Sequence, residues 1–280
     1  MLPRNLLLSV WLCVLWCTST RAAEGFHLLA ADAPAPVRDA WSSVYNVEYK
    51  DWPLGTAFLV GIAKSDTIVR LYFLTAEHIA ANDDRCTDNS ICSGLSLVQN
   101  AVYNRDGDGF RKSSENGSHF SNVRSLTISD GSNTTLLTVD LSAGSDLREF
   151  RPLKISQTCL SHKREQLYAI GYPDVGYRPN FNSKILRKVW SKGVLIDLDD
   201  AHLGTSIDAT DGNSGGPILN AQGEVVSVMN KSWFGSDLEY EGDYIREVSG
   251  HEEYGPVEYS QGTSCAALSK KLAATIGVSQ

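Results

Sequence analysis

The sequence predicts an all-β protein, built either as closed β-barrels or as a β-sandwich. Short β-prone runs alternate with clusters of Gly, Asn, Asp and Ser through most of the chain. Only the C-terminus has a convincing helical pattern, and no Gly/Ser/Pro-rich linker divides the chain. Many short strands and one terminal helix are typical of these two architectures. Because no linker is present, two barrels would have to share a cleft.

The strands are predicted from β-prone runs that are bounded by turn residues. In chain order, the predicted strands are 57–63, 68–76, 134–139, 166–171, 188–196, 217–219 and 224–229. The first two are joined by residues 64–67 and predict a hairpin. The helix is predicted because Leu268, Leu272 and Ile276 recur every four residues, which places them on one face.

Residues 1–23 have the layout of a secretory signal peptide. A single Arg4 precedes an apolar run from Leu6 to Cys17, and small or polar residues follow up to Ala23. This run is too short to span a bilayer, and no later stretch reaches the ~20 apolar residues that a span needs. We therefore expect a mature chain of residues 24–280 that is secreted or periplasmic and has no membrane span.

The cysteines and the net charge also bear on location and partners. Four cysteines remain after residue 23, an even number that suits disulfides in an oxidising compartment. Of three possible pairings, one combines a local Cys86–Cys92 clip with a long Cys159–Cys265 bridge. No CxxC pair or histidine cluster accompanies them, so zinc is disfavoured. The formal net charge of -8 argues against nucleic acid or an anionic membrane as partner.

A Gly-rich segment around Ser214 is the strongest candidate for chemistry. It reads Asp211-Gly212-Asn213-Ser214-Gly215-Gly216-Pro217. A serine nucleophile must stand at a sharp turn, with its hydroxyl exposed and backbone N–H groups facing the same point. Glycines on both sides allow that close approach and its unusual dihedrals. The alternative interpretation is an ordinary Gly-rich loop between strands.

The second candidate is His78, which follows Leu74-Thr75-Ala76-Glu77 at the end of a predicted strand. A general base must be held rigidly, and the end of a core strand is a suitable mount. A single histidine in such a place is more often an ordinary residue than a base. The other histidines lie in polar, irregular surroundings and carry no functional prediction: His27, His119, His162, His202 and His251.

Together, the two segments resemble the trypsin-like (chymotrypsin-fold) serine peptidases. That family carries Thr-Ala-x-His after its first core hairpin and Gly-[Asp/Asn]-Ser-Gly-Gly-Pro at its nucleophile, in the chain order His, Asp, Ser. Asn213 and the run Tyr-Ala-Ile-Gly-Tyr-Pro at 168–173 look more like the secreted bacterial branch. The resemblance covers the chain from Gly55 onward. It implies two antiparallel β-barrels with an inter-barrel active-site cleft and a C-terminal helix, dividing near residues 150–165.

The resemblance further implies a secreted serine endopeptidase that needs no cofactor and acts as a monomer on protein or peptide substrates. Ser214 would attack the scissile carbonyl while His78 takes its proton, and an aspartate would orient the imidazole. The N–H groups of Gly212 and Ser214 would form the oxyanion hole. Asp208 stands where trypsin keeps the acid that binds Arg and Lys side chains. However, Asp208-Ala209 also matches an Asp-Ala pair of the bacterial branch that often does not line the pocket.

Two aspartates compete to be the orienting acid, which in this family begins a strand that crosses the first barrel. Asp140 leaves eleven residues before Pro152 and is followed by Leu-Ser-Ala, close to the family's Asp-Leu-Ala. Asp146 leaves only five residues before Pro152, and three of these are charged. A central strand cannot continue through Pro152. Asp140 is therefore preferred, although a Gly-Ser pair would end its strand early.

Residues 104–115 match the spacing of a calcium-binding loop, with Asn104, Asp106, Asp108 and Glu115 at ligand positions. Arg111 stands where an apolar residue is usual, and no amphipathic helices flank the segment. A solvated hairpin loop is therefore the preferred interpretation.

Two other classes of function compete with the peptidase. A catalytically silent relative would bind a partner through the same fold, but such proteins usually lose the Ser or the His, and both are present here. A secreted, disulfide-stapled adhesive β-protein without an active site would require both motifs to be accidental.

Overall fold

Strands dominate the part of the chain that the structure describes. The computed structural model describes residues 26–29, 31–81, 86–87, 90–106, 109–127, 133–159, 164–174, 185–198, 200, 202–233 and 259–276. The predicted signal peptide lies outside these residues. The all-β class predicted from the sequence is confirmed.

The described residues form two barrel-like sheets, which follow one another along the chain, and a small third sheet that takes strands from both halves. A helix α1 (Ala35–Ala40) and a 3-10 turn (Trp41–Ser43) precede them. The first set of strands is β1 (Val44–Tyr49), β2 (Trp52–Lys64), β3 (Ile68–Ala76), β4 (Leu95–Gln99), β5 (Val102–Asp106), β6 (Gly109–Ser114), β7 (His119–Phe120), β8 (Val123–Thr127) and β9 (Thr134–Ser142). The second is β10 (Gln166–Gly171), β11 (Ile185–Arg187), β12 (Val189–Leu198), β13 (His202–Thr205), β14 (Pro217–Leu219), β15 (Val225–Trp233) and β16 (Tyr259–Ser264). The helix α2 (Glu77–Ala81) follows β3 directly, and α3 (Cys265–Ile276) follows β16.

The first sheet is antiparallel and nearly closed, with strand order β7-β4-β1-β2-β3-β9-β8. Its core strand β3 buries alternate residues Val69, Leu71 and Phe73, as expected when one face of a strand lies on a core. The N–H of Cys92, just before β4, donates to the carbonyl of Val123 on β8 at 2.8 Å. This contact draws the two ends of the sheet together.

The second sheet is a closed barrel, with strand order β10-β12-β13-β16-β15-β14. Buried aliphatic side chains such as Leu167, Leu195 and Ile218 fill it. The two-barrel architecture with a C-terminal helix, predicted from the family resemblance, is therefore confirmed. The chain passes from one sheet to the other through residues 143–165.

One hydrophobic cluster joins the two barrels and the C-terminal helix. It contains Leu74 of β3, Ile170 of β10 and Val228 of β15, all with at most 1% of their surface exposed. Leu268 and Leu272 of α3 belong to the same cluster. Two residues of the apolar helix face predicted from the four-residue spacing, Leu268 and Leu272, thus pack where the barrels meet.

A small third sheet, of order β11-β5-β6, also connects the two halves of the chain. The hairpin β5–β6 comes from the candidate calcium-loop segment, and β11 precedes the second strand of the closed barrel. Asp106 forms an ion pair with Arg111 at 3.3 Å, and Glu115 pairs with Lys112 at 3.1 Å. The segment thus forms a hairpin, and both of these carboxylates have cationic partners, while Asp108 lies outside the described residues.

Two disulfides join the four cysteines that follow the predicted signal peptide. Cys86 pairs with Cys92, and Cys159 pairs with Cys265 at the start of α3. The second bridge ties the inter-barrel connection to the terminal helix. Disulfides are typical of proteins outside the reducing cytoplasm. Among the described helices, none combines the length and hydrophobicity needed to cross a bilayer.

Lys188 is a buried cation that links the N-terminal segment to the barrels. Its Nζ donates to the carbonyl of Trp41 and to Oδ1 of Asn100, both at 2.9 Å. The same Nζ lies 5.7 Å from the ring centroid of Tyr172. Burial lowers the pKa of Lys188 to about 7, because a low-polarity interior disfavours the charged form.

Candidate active site

The end of β3 turns directly into α2, which carries His78. Thr75 is fully buried, and its hydroxyl donates to the carbonyl of Thr56 at 2.7 Å. The N–H of Glu77 donates to the carbonyl of Asn133 at 3.0 Å. His78 itself is exposed. The structure thus provides the rigid mount that a general base requires and leaves the imidazole accessible.

Ser214 lies in a tight turn that leads into β14. Gly212 and Gly215 flank it with φ angles of 89° and 86°, in the left-handed region where glycine carries no Cβ penalty. The carbonyl of Ser214 accepts a hydrogen bond from the N–H of Thr56 on β2 at 2.8 Å. The sharp turn expected for a nucleophile is present, and its backbone is anchored to the first barrel.

Gly215 is where the nucleophile loop touches the segment that carries His78. A Cβ built at Gly215 would lie 2.9 Å from the backbone nitrogen of Ala76 and closer still to the carbonyl oxygen of Thr56. Only a glycine permits this approach, since real Cβ atoms keep at least 3.0 Å from other heavy atoms. The structure therefore brings the Ser214 turn and the His78 turn into one site between the barrels.

The peptide group between Asp211 and Gly212 is held through its carbonyl. That carbonyl belongs to Asp211 and accepts a hydrogen bond from the N–H of Asp174 at 2.6 Å. In a planar trans peptide, the N–H points opposite to the C=O, so holding the carbonyl also sets the direction of the N–H. The direction of the Gly212 N–H is therefore set by Asp174.

The peptide group between Asn213 and Ser214 is fixed in the same way. Its carbonyl belongs to Asn213 and accepts from the N–H of Gly216 at 2.9 Å. Within the described part of the chain, neither the Gly212 N–H nor the Ser214 N–H donates to a backbone carbonyl. Two oriented donors beside a serine are what an oxyanion hole consists of.

Asp208 lies in the closed barrel at the start of the segment that leads to the nucleophile loop. Only 4% of its surface is exposed, and its carbonyl accepts from the Ser191 hydroxyl at 2.8 Å. Its neighbours Ile207 and Ala209 are buried in the barrel core. The carboxylate is thus buried six residues ahead of Ser214.

Asp140 is not brought to His78. It lies opposite Arg70 in the β3–β9 ladder and forms an ion pair with it at 2.6 Å, which holds the pKa of the carboxyl below its usual range. The residue opposite Ala76, just before the His78 turn, is Thr134. Six residues of strand separate Thr134 from Asp140, or ~20 Å. The geometry therefore does not support Asp140 as the orienting acid.

Asp146 lies beyond the end of β9, still further along the chain from Thr134. It is exposed and binds the guanidinium of Arg148 at 2.6 Å. Both aspartates weighed from the sequence therefore have arginine partners, and Asp140 lies at the end of β9 that is away from the His78 turn.

A comparison with models of protein families shows to which family the chain belongs. The model of the trypsin-like peptidase domain matches residues 55–228, more than half of the chain. The chain belongs to the trypsin-like serine peptidase family. The resemblance predicted from the His78 and Ser214 motifs is confirmed.

A solved structure agrees with this trypsin-like fold. A serine endoprotease from Yersinia pestis is 16% identical with a TM-score of 0.51, and the match covers 86% of this chain and 65% of that one. An inactive serine-to-alanine mutant of Rv3671c from M. tuberculosis H37Rv is 13% identical with a TM-score of 0.49, covering 91% and 99%. Among curated proteins, none is significantly similar to this trypsin-like peptidase.

The start of β9 bears on which residue orients His78. Trypsin-like peptidases place the orienting aspartate at the start of a strand, and β9 starts at Thr134, next to the His78 turn. The predicted strand 134–139 already began at this residue. Among the ten residues before it, Asp130 is the only acidic one in the sequence. Asp130 lies outside the described residues.

Proposed function

We propose that this trypsin-like chain is a secreted serine endopeptidase that hydrolyses peptide bonds through an acyl-enzyme on Ser214. The approach of Gly215 to Ala76, which joins the Ser214 and His78 turns, carries this proposal. His78 takes the proton of the Ser214 hydroxyl as it attacks the scissile carbonyl. The imidazolium then passes this proton to the leaving amine, and water releases the acyl group by the reverse route.

The Gly212 and Ser214 N–H groups serve as the oxyanion hole in this proposal. Supporting it, the carbonyls of both peptides are hydrogen bonded, so the N–H directions are preset before substrate arrives. Preset donors stabilise the developing oxyanion without reorganising, and one such donor contributes about 3 kcal/mol of barrier lowering. The substrates are proteins or peptides. We propose that the protein acts as a monomer after its signal peptide, residues 1–23, is removed.

A fluorophosphonate probe tests the proposal on the purified protein. It should attach to Ser214, because only a serine activated by a neighbouring base reacts readily with such a reagent. Peptide mapping locates the label, and His78→Ala, which keeps the serine but removes the base, is the control. An unlabelled, folded wild-type protein would favour the catalytically silent binding protein instead.

We further propose that Asp208 selects Arg or Lys as the residue before the cleaved bond. Its burial beside the nucleophile segment supports this, since a desolvated carboxylate pairs strongly with a cationic side chain. Cleavage of a peptide library by the same preparation reports the preference directly. A preference for small apolar residues or for Glu would remove Asp208 from this role.

Asp140→Asn is expected to leave kcat within about twofold of wild type. The register places Asp140 at the far end of β9, and loss of a partly exposed ion pair with Arg70 costs only about 0–1 kcal/mol of stability. We propose Asp130 as the orienting acid on its sequence position before β9. Asp130→Asn is therefore the comparison variant, and its kcat should fall. A large fall in Asp140→Asn, with Asp130→Asn unaffected, would return the role to Asp140.

A further inference from the structure

Asp174 contacts residues 210–214, the loop that carries both proposed oxyanion donors and is called the oxyanion loop, through both of its backbone polar groups. Its N–H donates to the carbonyl of Asp211 at 2.6 Å, and its own carbonyl accepts from the Thr210 hydroxyl at 3.0 Å. A Cβ built at Gly212 would lie 3.4 Å from the Asp174 nitrogen, so the two backbones are in direct contact. The position of Asp174 therefore fixes the first half of the oxyanion loop.

The carboxylate of Asp174 contacts a different part of the molecule. Its Oδ1 accepts a hydrogen bond from Nη2 of Arg105 at 2.5 Å, and about a quarter of each side chain is exposed (28% for Arg105 and 27% for Asp174). Arg105 belongs to the hairpin β5–β6, which comes from the first half of the chain. The pair thus connects the hairpin to the oxyanion loop.

Arg105 is itself held in place on the hairpin. Its guanidinium carbon lies 4.8 Å from the ring centroid of Phe110, the residue paired with it across the β5–β6 ladder. The neighbouring Asn104 pairs with Ile185 at the start of β11. The hairpin therefore binds the chain at Asp174 and again at Ile185, on either side of residues 175–184. A flat guanidinium stacked on an aromatic ring loses little further freedom when it binds a carboxylate.

We propose that Arg105 is a positioning residue for the oxyanion hole. Its ion pair holds Asp174, and the Asp174 N–H holds the Asp211 carbonyl, so the Gly212 N–H keeps the direction that a tetrahedral intermediate requires. The hairpin β5–β6 thereby stabilises the geometry of the oxyanion hole, in addition to forming part of the surface. This inference rests on the proposed function of the Ser214 site.

The kinetic signature follows from the stage at which the oxyanion hole acts. Its donors bind most strongly to the charge that develops in the transition state, so misdirecting one lowers kcat and leaves KM nearly unchanged. Arg105→Gln is therefore expected to lower kcat about 10-fold, with KM within about twofold of wild type. A peptide aldehyde, whose adduct with Ser214 carries the oxyanion, should lose affinity by a similar factor.

The chain offers a matched control in the pair of Arg70 and Asp140. That pair is also an Arg–Asp bridge between distant segments, at 2.6 Å and with 33% and 34% of the side chains exposed. It lies at the far end of the β3–β9 ladder from the His78 turn. Arg70→Gln should therefore leave kcat, KM and aldehyde affinity unchanged, although it removes a comparable ion pair.

The experiment compares wild type, Arg105→Gln and Arg70→Gln by steady-state kinetics, aldehyde inhibition and hydrogen exchange of the segment 207–216. Faster exchange of this segment in Arg105→Gln alone, with the kcat loss described, is the expected result. Arg105→Lys, which keeps the charge without the planar fork, should recover part of kcat. If Arg105→Gln does not fold, Asp174→Ala removes the carboxylate that accepts from Arg105 while keeping the backbone N–H, and it should show the same kcat loss.

The outcomes separate the inference from the function on which it rests. An active wild type whose kcat and loop exchange are the same in Arg105→Gln overturns the inference alone. Equal kcat losses in Arg105→Gln and Arg70→Gln overturn it too, because they would reflect general destabilisation. A folded wild type that neither cleaves peptides nor reacts with the fluorophosphonate overturns the proposed function, and with it the inference.

Discussion

Replacing either Ser214 or His78 by alanine is expected to lower kcat by about 10⁶-fold, with the fold retained. In the proposed mechanism the nucleophile and its base act as a unit, so removing either one abolishes the contribution of the other. The double variant should therefore be no slower than either single variant, rather than slower by the product of the two losses. Initial rates on a peptide substrate from the library measure the loss, with KM expected to change little.

His119→Ala and Ser142→Ala serve as controls for these two variants. Both residues are exposed and lie on strands of the first barrel, where His119 bonds Glu115 and Ser142 bonds Ser145. They should retain wild-type kcat. Circular dichroism and the thermal midpoint of each variant establish that the fold survives. Near-native turnover in folded Ser214→Ala would mean that the chemistry takes place at another group.

The strands that the sequence predicted best are those whose pattern is local. The predicted strand 68–76 coincides with β3 (Ile68–Ala76), and 166–171 and 217–219 coincide with β10 and β14. These runs are β-prone and end at clear turn residues, so neighbouring residues alone define them. The two site motifs belong to the same class, because glycines in a turn and a histidine after a core strand can be read without knowing the fold.

The strand β1 was missed because its burial depends on partners far away in sequence. Its polar residues Asn46 and Glu48 are fully buried, which no hydrophobic pattern predicts. The Tyr103 hydroxyl contacts the side-chain oxygens of both, and Lys112 binds the Glu48 carboxylate at 2.9 Å. Tyr103 and Lys112 lie on the hairpin β5–β6, more than 50 residues along the chain. Only the folded structure shows that these groups satisfy one another.

The choice of the orienting acid shows, for a single residue, the same limit of prediction from sequence. Asp140 matched the family in its neighbours, Leu141 above all, but sequence spacing does not say which end of a strand lies beside His78. The antiparallel register between β3 and β9 decides that question, and it places Thr134 there. This register is the reason why we propose Asp130, before β9, rather than Asp140 near its end.

The close contact between the Ser214 turn and the His78 turn predicts a second large effect, at Gly215. Gly215→Ala is expected to lower the free energy of unfolding by about 2–5 kcal/mol. About 1–2 kcal/mol comes from placing an alanine at a φ of 86°, and a further ~1–3 kcal/mol from overpacking. The added methyl would overlap the Thr56 carbonyl, the Thr75 hydroxyl and the Ala76 nitrogen. None of these groups can move without breaking the hydrogen bond from Thr75 to Thr56 or shifting β3.

Relief of this overlap would push the Ser214 turn away from the His78 turn, so kcat should fall together with stability. A displacement of ~1 Å at a reacting group costs about 100-fold in rate, which is the loss expected for Gly215→Ala. Gly144→Ala is the matched control, because a Cβ at Gly144 meets nothing within 4 Å and Gly144 does not have a positive φ. Its unfolding free energy should stay within about 0.5 kcal/mol of wild type and its kcat should be unchanged.

Urea denaturation and initial rates on wild type, Gly215→Ala and Gly144→Ala make the comparison. A Gly215→Ala protein with wild-type stability and turnover would show that the two turns do not meet as closely as this, and the joint site of Ser214 and His78 would lose its structural basis.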